Sequence, residues 1–221
     1  MTPARARRLV VAGAALVATE AALIGLGRTF GSTCAERAAT LPGDEVVGRP
    51  TMQTDHAVTI AATPREVWPW LVQMGWGRGG WYTARWVDRA FFPRNGPSAD
   101  RIVPELQSIT LGDFIPDGAP ETGCGFHVVG LDPERHLVLR STSHLPRAAR
   151  ERADLDWTWT FRLTPLPGGR TRLHLRSRWT TRPWWVSATA LLVIVPADLV
   201  MARDMLAGIR ARAARRAVPT S

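Results

Sequence analysis

Apolar and polar positions along this 221-residue chain follow three successive regimes. Residues 9–27, LVVAGAALVATEAALIGLG, are an apolar run interrupted only by Glu20 and preceded by Arg5, Arg7 and Arg8. That length just suffices to cross a bilayer, although a central acid costs about 2–3 kcal/mol on insertion scales. No polar face suits the run to a soluble surface. No small-x-small site follows it, and GSTC before Cys34 lacks the aliphatic residue of a lipoprotein signal. Residues 1–28 are therefore read as a basic N-terminus and an uncleaved membrane helix, with a cleaved signal or a packed helix as the competing readings. Residues 29–54 are punctuated by Gly, Pro and Thr, with LPGDE at 41–45, and read as a linker partly ordered against the domain after it.

From residue 55 the pattern becomes that of a folded domain. DHAVTIAA (55–62) alternates like a strand. In TPREVWPWLVQMGWGRGGWY (63–82), Thr63, Pro64 and Glu66 supply an N-cap, a first helical position and a capping box. Val67, Trp70, Leu71 and Met74 then form one apolar helical face, which Pro69 bends by removing a backbone hydrogen bond. Four glycines around Trp76 and Trp81 predict a loop that places large rings against a cavity. Residues 83–100 hold a short helical piece and a Pro/Gly loop. Residues 98–118 run through a helical or extended patch to a strand near 109–115, with a bulge at Gly112-Asp113. GFHVVGLDP (125–133) and RHLVLRS (135–141) predict two strands, and 142–154 an arginine-rich polar loop.

The clearest hairpin is 155–169 with 170–180. Trp157, Trp159, Phe161 and Leu163 alternate with Thr158, Thr160 and Arg162, and Leu173, Leu175 and Ser177 with Arg172, His174, Arg176 and Arg178. This period predicts one buried and one wet face. In 183–216, WWVSATALLVIV is apolar all round. It leads into a stripe of Val195, Leu199, Ala202, Leu206 and Ile209, with Asp198, Arg203, Asp204 and Arg210 off it. That is an amphipathic packing helix; a span over 184–202 would have to accommodate Pro196 and Asp198. The order of elements predicts an α+β fold, a curved antiparallel sheet of five or six strands gripping a long C-terminal helix, with a cavity between them.

Charge and candidate chemistry narrow the partners. The net charge is +9, yet all 28 basic residues are arginines, scattered except at the termini. Nucleic acid wants a patch on one face, so no nucleic-acid partner is expected. Basic termini beside apolar stretches point to a membrane instead. Cys34 and Cys124 form no CxxC or metal-ligand spacing. His56, His127, His136, His144 and His174 show no ligand pairing, so neither metal nor cofactor is expected. His127 and Asp113 are a candidate acid–base pair across the sheet. GWGRGG follows a helix and lacks a following Lys-Ser/Thr, unlike a phosphate loop. Arg78 within it is either a ligand-orienting group at a pocket mouth or a cation stacked on Trp76 or Trp81. Trp157 and Trp159 fall on the core face, where packing and lining a cavity coincide. The candidate ligand-binding residues are thus Trp76, Arg78, Trp81, Trp157 and Trp159; no catalytic residue is assigned.

PREVWPWLVQMGWGRGGWY, SADRIVPELQ, LGDFIP and VMARDMLAGIRARA together resemble the START-like, helix-grip superfamily. They are similar in particular to its bacterial SRPBCC branch of polyketide cyclase/dehydrase-like and lipid-transport-like proteins. The resemblance covers roughly 45–213. It implies a seven-stranded or similar sheet around an apolar pocket, one end closed by 64–73 and the short helix after Trp81. It also implies binding of hydrophobic or aromatic small molecules, with cyclisation, dehydration or hydrolysis in some members; no catalytic set carries over by position. The expectation is a membrane-tethered START-like domain at 55–213, with a tail at 214–221, holding a hydrophobic small molecule or lipid. The alternatives are a cyclase/dehydratase-type enzyme on an aromatic or polyketide-like substrate, and a membrane-associated interaction module. Acid–base groups in the cavity would favour the enzyme, a sealed apolar cavity the carrier, and a filled one the interaction module. Arg5, Arg7 and Arg8 favour a cytoplasmic N-terminus, which leaves the domain outside the cytoplasm with the expected single pass and equally with a second span at the C-terminal end.

Overall fold

The computed structural model describes residues 3–91 and 94–216. Within them, six α-helices and six strands run in the order α1 (Pro3–Thr29), α2 (Cys34–Ala38), β1 (Met52–Ile60), α3 (Pro64–Val72), α4 (Arg85–Phe91), β2 (Phe114–Pro116), β3 (Gly125–Asp132), β4 (His136–Ser141), β5 (Asp154–Leu166), β6 (Arg170–Arg182), α5 (Trp184–Thr189) and α6 (Val195–Arg216). A π turn, Ala190–Ile194, joins α5 to α6 without a break. The strands form one curved antiparallel sheet in the order β1-β6-β5-β4-β3-β2.

Local sequence accounts for most of these elements. Glu66 reaches back to the Thr63 N–H at 2.7 Å and starts α3. In the β5/β6 hairpin Trp157 faces Trp179, Trp159 faces Ser177, Phe161 faces Leu175 and Leu163 faces Leu173. These residues form the inner face of the sheet. Val67, Trp70 and Leu71 of α3 pack there with Ala202, Met205, Leu206, Ile209 and Ala213 of α6. This is the core, and the interval between sheet and α6 is filled by these side chains together with Met74 and Phe161. The strand expected at 109–115 starts later, at Phe114. A turn takes its place: the Asp113 carboxylate accepts from the Thr110 N–H at 2.8 Å and from the Thr110 hydroxyl at 3.0 Å.

The hairpin's other face, expected to be wet, is buried at Thr158, Thr160, His174 and Arg176. Its cover is the 32–50 segment, which lies across the sheet as a strap. Arg176 anchors it. Its guanidinium donates to Asp55 at 2.7 Å, Asp44 at 2.8 Å, and the backbone carbonyls of Ala39, Glu36 and Arg37 at 2.7, 2.9 and 3.1 Å. Burial raises the Asp55 carboxyl pKa, but hydrogen bonds from His174, Gln53 and Arg176 more than offset it and hold it below the usual range. Arg172 grips the strap a second time through Glu36, at 2.7 and 2.9 Å.

Helix α1 stands clear of the domain for most of its length and is fixed at its C-terminal end. The Ala57 N–H donates to Phe30 O at 3.1 Å, the His56 Nε2–H to Gly27 O at 2.7 Å, and Arg172 to Gly31 O at 2.6 Å. Two helical stretches, Arg7–Thr29 and Trp184–Arg215, are long and apolar enough to cross a membrane.

Candidate functional site: an aromatic row ending in a polar chain

Alternation along β5 sends Trp157, Trp159 and Phe161 to the inner face. Their ring centroids lie 5.7 Å (Trp157–Trp159) and 5.2 Å (Trp159–Phe161) apart. Phe126 of β3 packs against Trp157 and Trp159 at 4.9 and 5.4 Å. Trp81 enters from the glycine loop and meets Trp159 at 5.4 Å and Phe126 at 6.2 Å. The loop delivers it by folding tightly: Gly75 and Gly80 pair as a bridge, and Gly79 N–H donates to Gln73 O at 2.7 Å. Gly80 has φ +74°, and a Cβ there would stand 2.5 Å from Ser98 Oγ, so glycine is required on both counts. The Trp81 indole N–H is buried with no hydrogen-bond partner among the described residues. A buried orphan donor carries a desolvation cost, which a ligand acceptor would relieve. Trp157 instead donates its indole N–H to Ser177 Oγ at 2.5 Å.

The row ends in a hydrogen-bonded chain. His144 packs its ring against Phe126 at 4.6 Å and Trp157 at 4.8 Å. Its Nδ1 lies 2.6 Å from Ser141 Oγ and its Nε2 2.9 Å from Asp117 Oδ2. A carboxylate at Asp117 only accepts, so Nε2 is the donor there; in the neutral imidazole Nδ1 then accepts from the Ser141 hydroxyl. Ser141 Oγ in turn accepts the Ser143 N–H at 3.1 Å. A histidine oriented by a carboxylate and facing a hydroxyl is an acid–base arrangement. Ser141 is 2% exposed, so its oxygen is not placed to meet a substrate as nucleophile. Nearby Cys124 donates to Ser143 O at 3.2 Å. Burial, then the Asp117 charge, push its thiol pKa up, which suppresses thiolate chemistry.

Three residues expected to line a ligand site, Trp81, Trp157 and Trp159, are thus brought together. Trp76 lies in the same glycine loop, half-buried, its backbone N–H donating to Pro116 O at 2.7 Å. Arg78 donates to Met74 O and Val72 O, both at 3.0 Å. It thereby satisfies carbonyls at the end of α3. Burial lowers its pKa, partly offset by the charge of Asp113. The His127–Asp113 pair does not form. Asp113 closes the turn with Thr110, while His127 lies opposite Phe114 in the register and has its Nδ1 3.2 Å from Gly112 O. His144, Asp117 and Ser141 carry no spacing signal, because Asp117 reaches His144 only through the pairing of β2 and β4 to the two edges of β3. Among the described residues no group of three or more His, Cys, Asp or Glu side chains is placed to hold a metal.

Two open surface grooves lie elsewhere. One runs along Thr63, Arg65, Glu66, Trp68, Pro69 and Glu134, the other along Trp70, Ile102, Arg212 and their neighbours. Neither is lined by the aromatic row.

No family model and no curated protein sequence matches the chain. Among solved structures it is similar to protein MLL2253 from Mesorhizobium loti, at 16% identity and TM-score 0.45 over 76% of this chain and 100% of that one. It is also similar to the hypothetical protein jhp0584 from Helicobacter pylori, at 14% identity and TM-score 0.45 over 79% of this chain and 95% of that one. DynU16, a protein of the dynemicin biosynthetic locus, matches at 16% identity and TM-score 0.39 over 72% of this chain and 47% of its own. Likenesses this distant carry no functional argument.

Proposed function

We propose that this protein is a membrane-tethered START-like domain that binds a hydrophobic small molecule or lipid against its aromatic row. The observation that carries this is the convergence of Trp81, Trp157, Trp159 and Phe126 from three separate elements, with an unpaired indole N–H among them and a polar chain at one end. Apolar sites with a few placed polar groups bind by excluding water, and the polar groups set orientation. The side chains packed under α6 favour an interaction module for that part of the interior; the ligand sits instead at the half-buried Trp157–Trp159 end. Helix α1 supplies the tether. It is exposed and apolar, with Arg5, Arg7 and Arg8 at its far end, and those charges favour a domain outside the cytoplasm.

Mass spectrometry of organic extracts from the purified protein tests this reading. A hydrophobic compound should co-purify with the wild type and be depleted from Trp159→Ala, with far-UV dichroism confirming that the variant folds. No compound enriched over an unrelated single-span protein prepared identically would overturn it. Release of the protein from membranes by carbonate and high salt would overturn the tether.

A second reading, a cyclase- or dehydratase-type enzyme, is favoured by the Asp117–His144–Ser141 chain alone. It requires that different masses co-purify with the wild type and with His144→Ala, product from the first and substrate from the second.

A further inference from the structure

The helical stretch from Trp184 to Arg215 passes the length and composition test for a membrane span, but the tertiary structure divides it. From Ala202 onward it is committed to the domain. Ala202, Met205, Leu206, Ile209 and Ala213 are core residues, and moving them into a bilayer would dismantle the packing against α3 and the sheet. Val195 is committed as well. It is fully buried where α1 crosses, so close that a Cβ on Gly27 would lie 2.6 Å from Val195 O. What remains outside the core is 184–194, where Ala190 alone is buried. At 1.5 Å per residue it is about 16 Å long, roughly half of a hydrocarbon core of about 30 Å. It cannot cross.

The same stretch is nonetheless built for an apolar surrounding. Trp184 is 78% exposed, and Leu192, Val193 and Ile194 are 53%, 58% and 52% exposed. Its hydroxyls need no water, since Ser187 bonds Thr181 Oγ1 at 2.6 Å and Thr189 donates to Trp185 O at 2.9 Å. A contiguous exposed patch of this kind marks a docking surface. Its neighbour identifies the cover. The π turn packs against α1, so the patch continues the exposed apolar surface of that helix. The bonds from β1 and β6 to Gly27, Phe30 and Gly31 fix α1 against the domain. A bilayer that takes α1 therefore meets this face too.

We propose that the Trp184–Ile194 face lies in the plane of the bilayer leaflet beside α1, as a second, non-spanning membrane contact with Trp184 and Trp185 at headgroup depth. This rests on the membrane reading of α1. It also places a functional edge. Helix α5 starts directly after β6, whose Trp179 meets Trp157 at 6.5 Å, so docking seats the Trp157 end of the aromatic row on the leaflet that would supply an apolar ligand.

The test uses full-length protein in vesicles of phosphatidylcholine and phosphatidylglycerol. A fluorophore is attached to Leu16→Cys, Val193→Cys or Arg170→Cys in a Cys34→Ser, Cys124→Ser background. Nitroxides near the headgroups, nitroxides deep in the acyl chains and an aqueous quencher then report depth. The Leu16 probe should be quenched by deep nitroxides, the Val193 probe by shallow ones at least about threefold more than by the aqueous quencher, and the Arg170 probe by the aqueous quencher alone. A Val193 probe quenched only from water, with Leu16 still deep, overturns the inference and leaves the anchor standing. A Val193 probe as deep as Leu16 overturns the in-plane geometry. One shielded from both media means that protein covers the face, which also overturns it. If the Leu16 probe itself reports water, the membrane reading of α1 fails and the inference falls with it.

Discussion

Replacing Arg176 by methionine should detach the strap from the outer face of the sheet. Methionine keeps the stem's bulk and removes every donor. The Asp55 and Asp44 carboxylates, 2% and 8% exposed, would lose their cation, and three strap carbonyls would lose their donor. Breaking a buried pair by deleting one partner costs about 3–5 kcal/mol. Here the lower end applies. Asp55 keeps His174 and Gln53 at 2.8 Å each, and Asp44 keeps Arg178 and the Leu41 N–H at 2.9 Å each. About 3 kcal/mol is a large share of a typical domain stability of about 5–15 kcal/mol. With a urea slope of about 2 kcal/mol per molar, the unfolding midpoint should fall by about 1.5 M. Arg176→Lys keeps the charge but not the fork that reaches five acceptors, so it should lose roughly half as much. The assay is urea unfolding in detergent micelles, followed by tryptophan fluorescence and far-UV dichroism together, with hydrogen exchange at the Leu41, Asp44 and Val46 amides. A midpoint shift under about 0.5 M with those amides still protected would refute the claim that Arg176 holds the strap.

Other outcomes rest on single contacts. The hydrogen bond from Arg172 is the main cause that lowers the Glu36 carboxyl pKa from 4.5 to about 2. A depressed folded-state value contributes stability that is complete above about pH 4.5 and disappears as pH falls through about 2. Allowing for solvent screening, Glu36→Gln should cost about 1–2 kcal/mol at neutral pH and flatten the melting temperature between those limits; an unchanged pH profile would count against the pair. Gly27→Ala should push α1 off Val195 and cost about 1–3 kcal/mol, seen as a lower melting temperature and faster proteolysis near residues 29–32. Unaltered melting would show that α1 is not docked at that crossing. Nitrogen-15 spectra should show His144 as the Nε2–H tautomer. Asp117→Ala should lose that preference and about 1–2 kcal/mol of stability; an Nδ1–H tautomer in the wild type would contradict the chain.

Local patterns alone determined a good part of this protein. The period of two in 155–180 assigned β5, β6 and the face shared by Trp157, Trp159 and Phe161. Thr63, Pro64 and Glu66 marked the start of α3, and the spacing of Ala202, Leu206 and Ile209 identified the helix that the sheet grips. Each signal is a relation between residues a few positions apart, where the backbone period dictates geometry. A period says which residues share a face, but not what covers that face. Arg176 therefore read as wet until the strap, more than a hundred residues earlier, was seen to lie over it. The glycine loop carries Trp81 against Phe126 and Trp159, while Arg78 donates to backbone carbonyls that no spacing reveals. Asp117, His144 and Ser141 meet only because β3 lies between β2 and β4. Finally, the apolar pattern already divides 183–216 into an all-round apolar stretch and, from Val195, an amphipathic stripe. That the first part finds little protein to pack against is decided by the assembled fold alone.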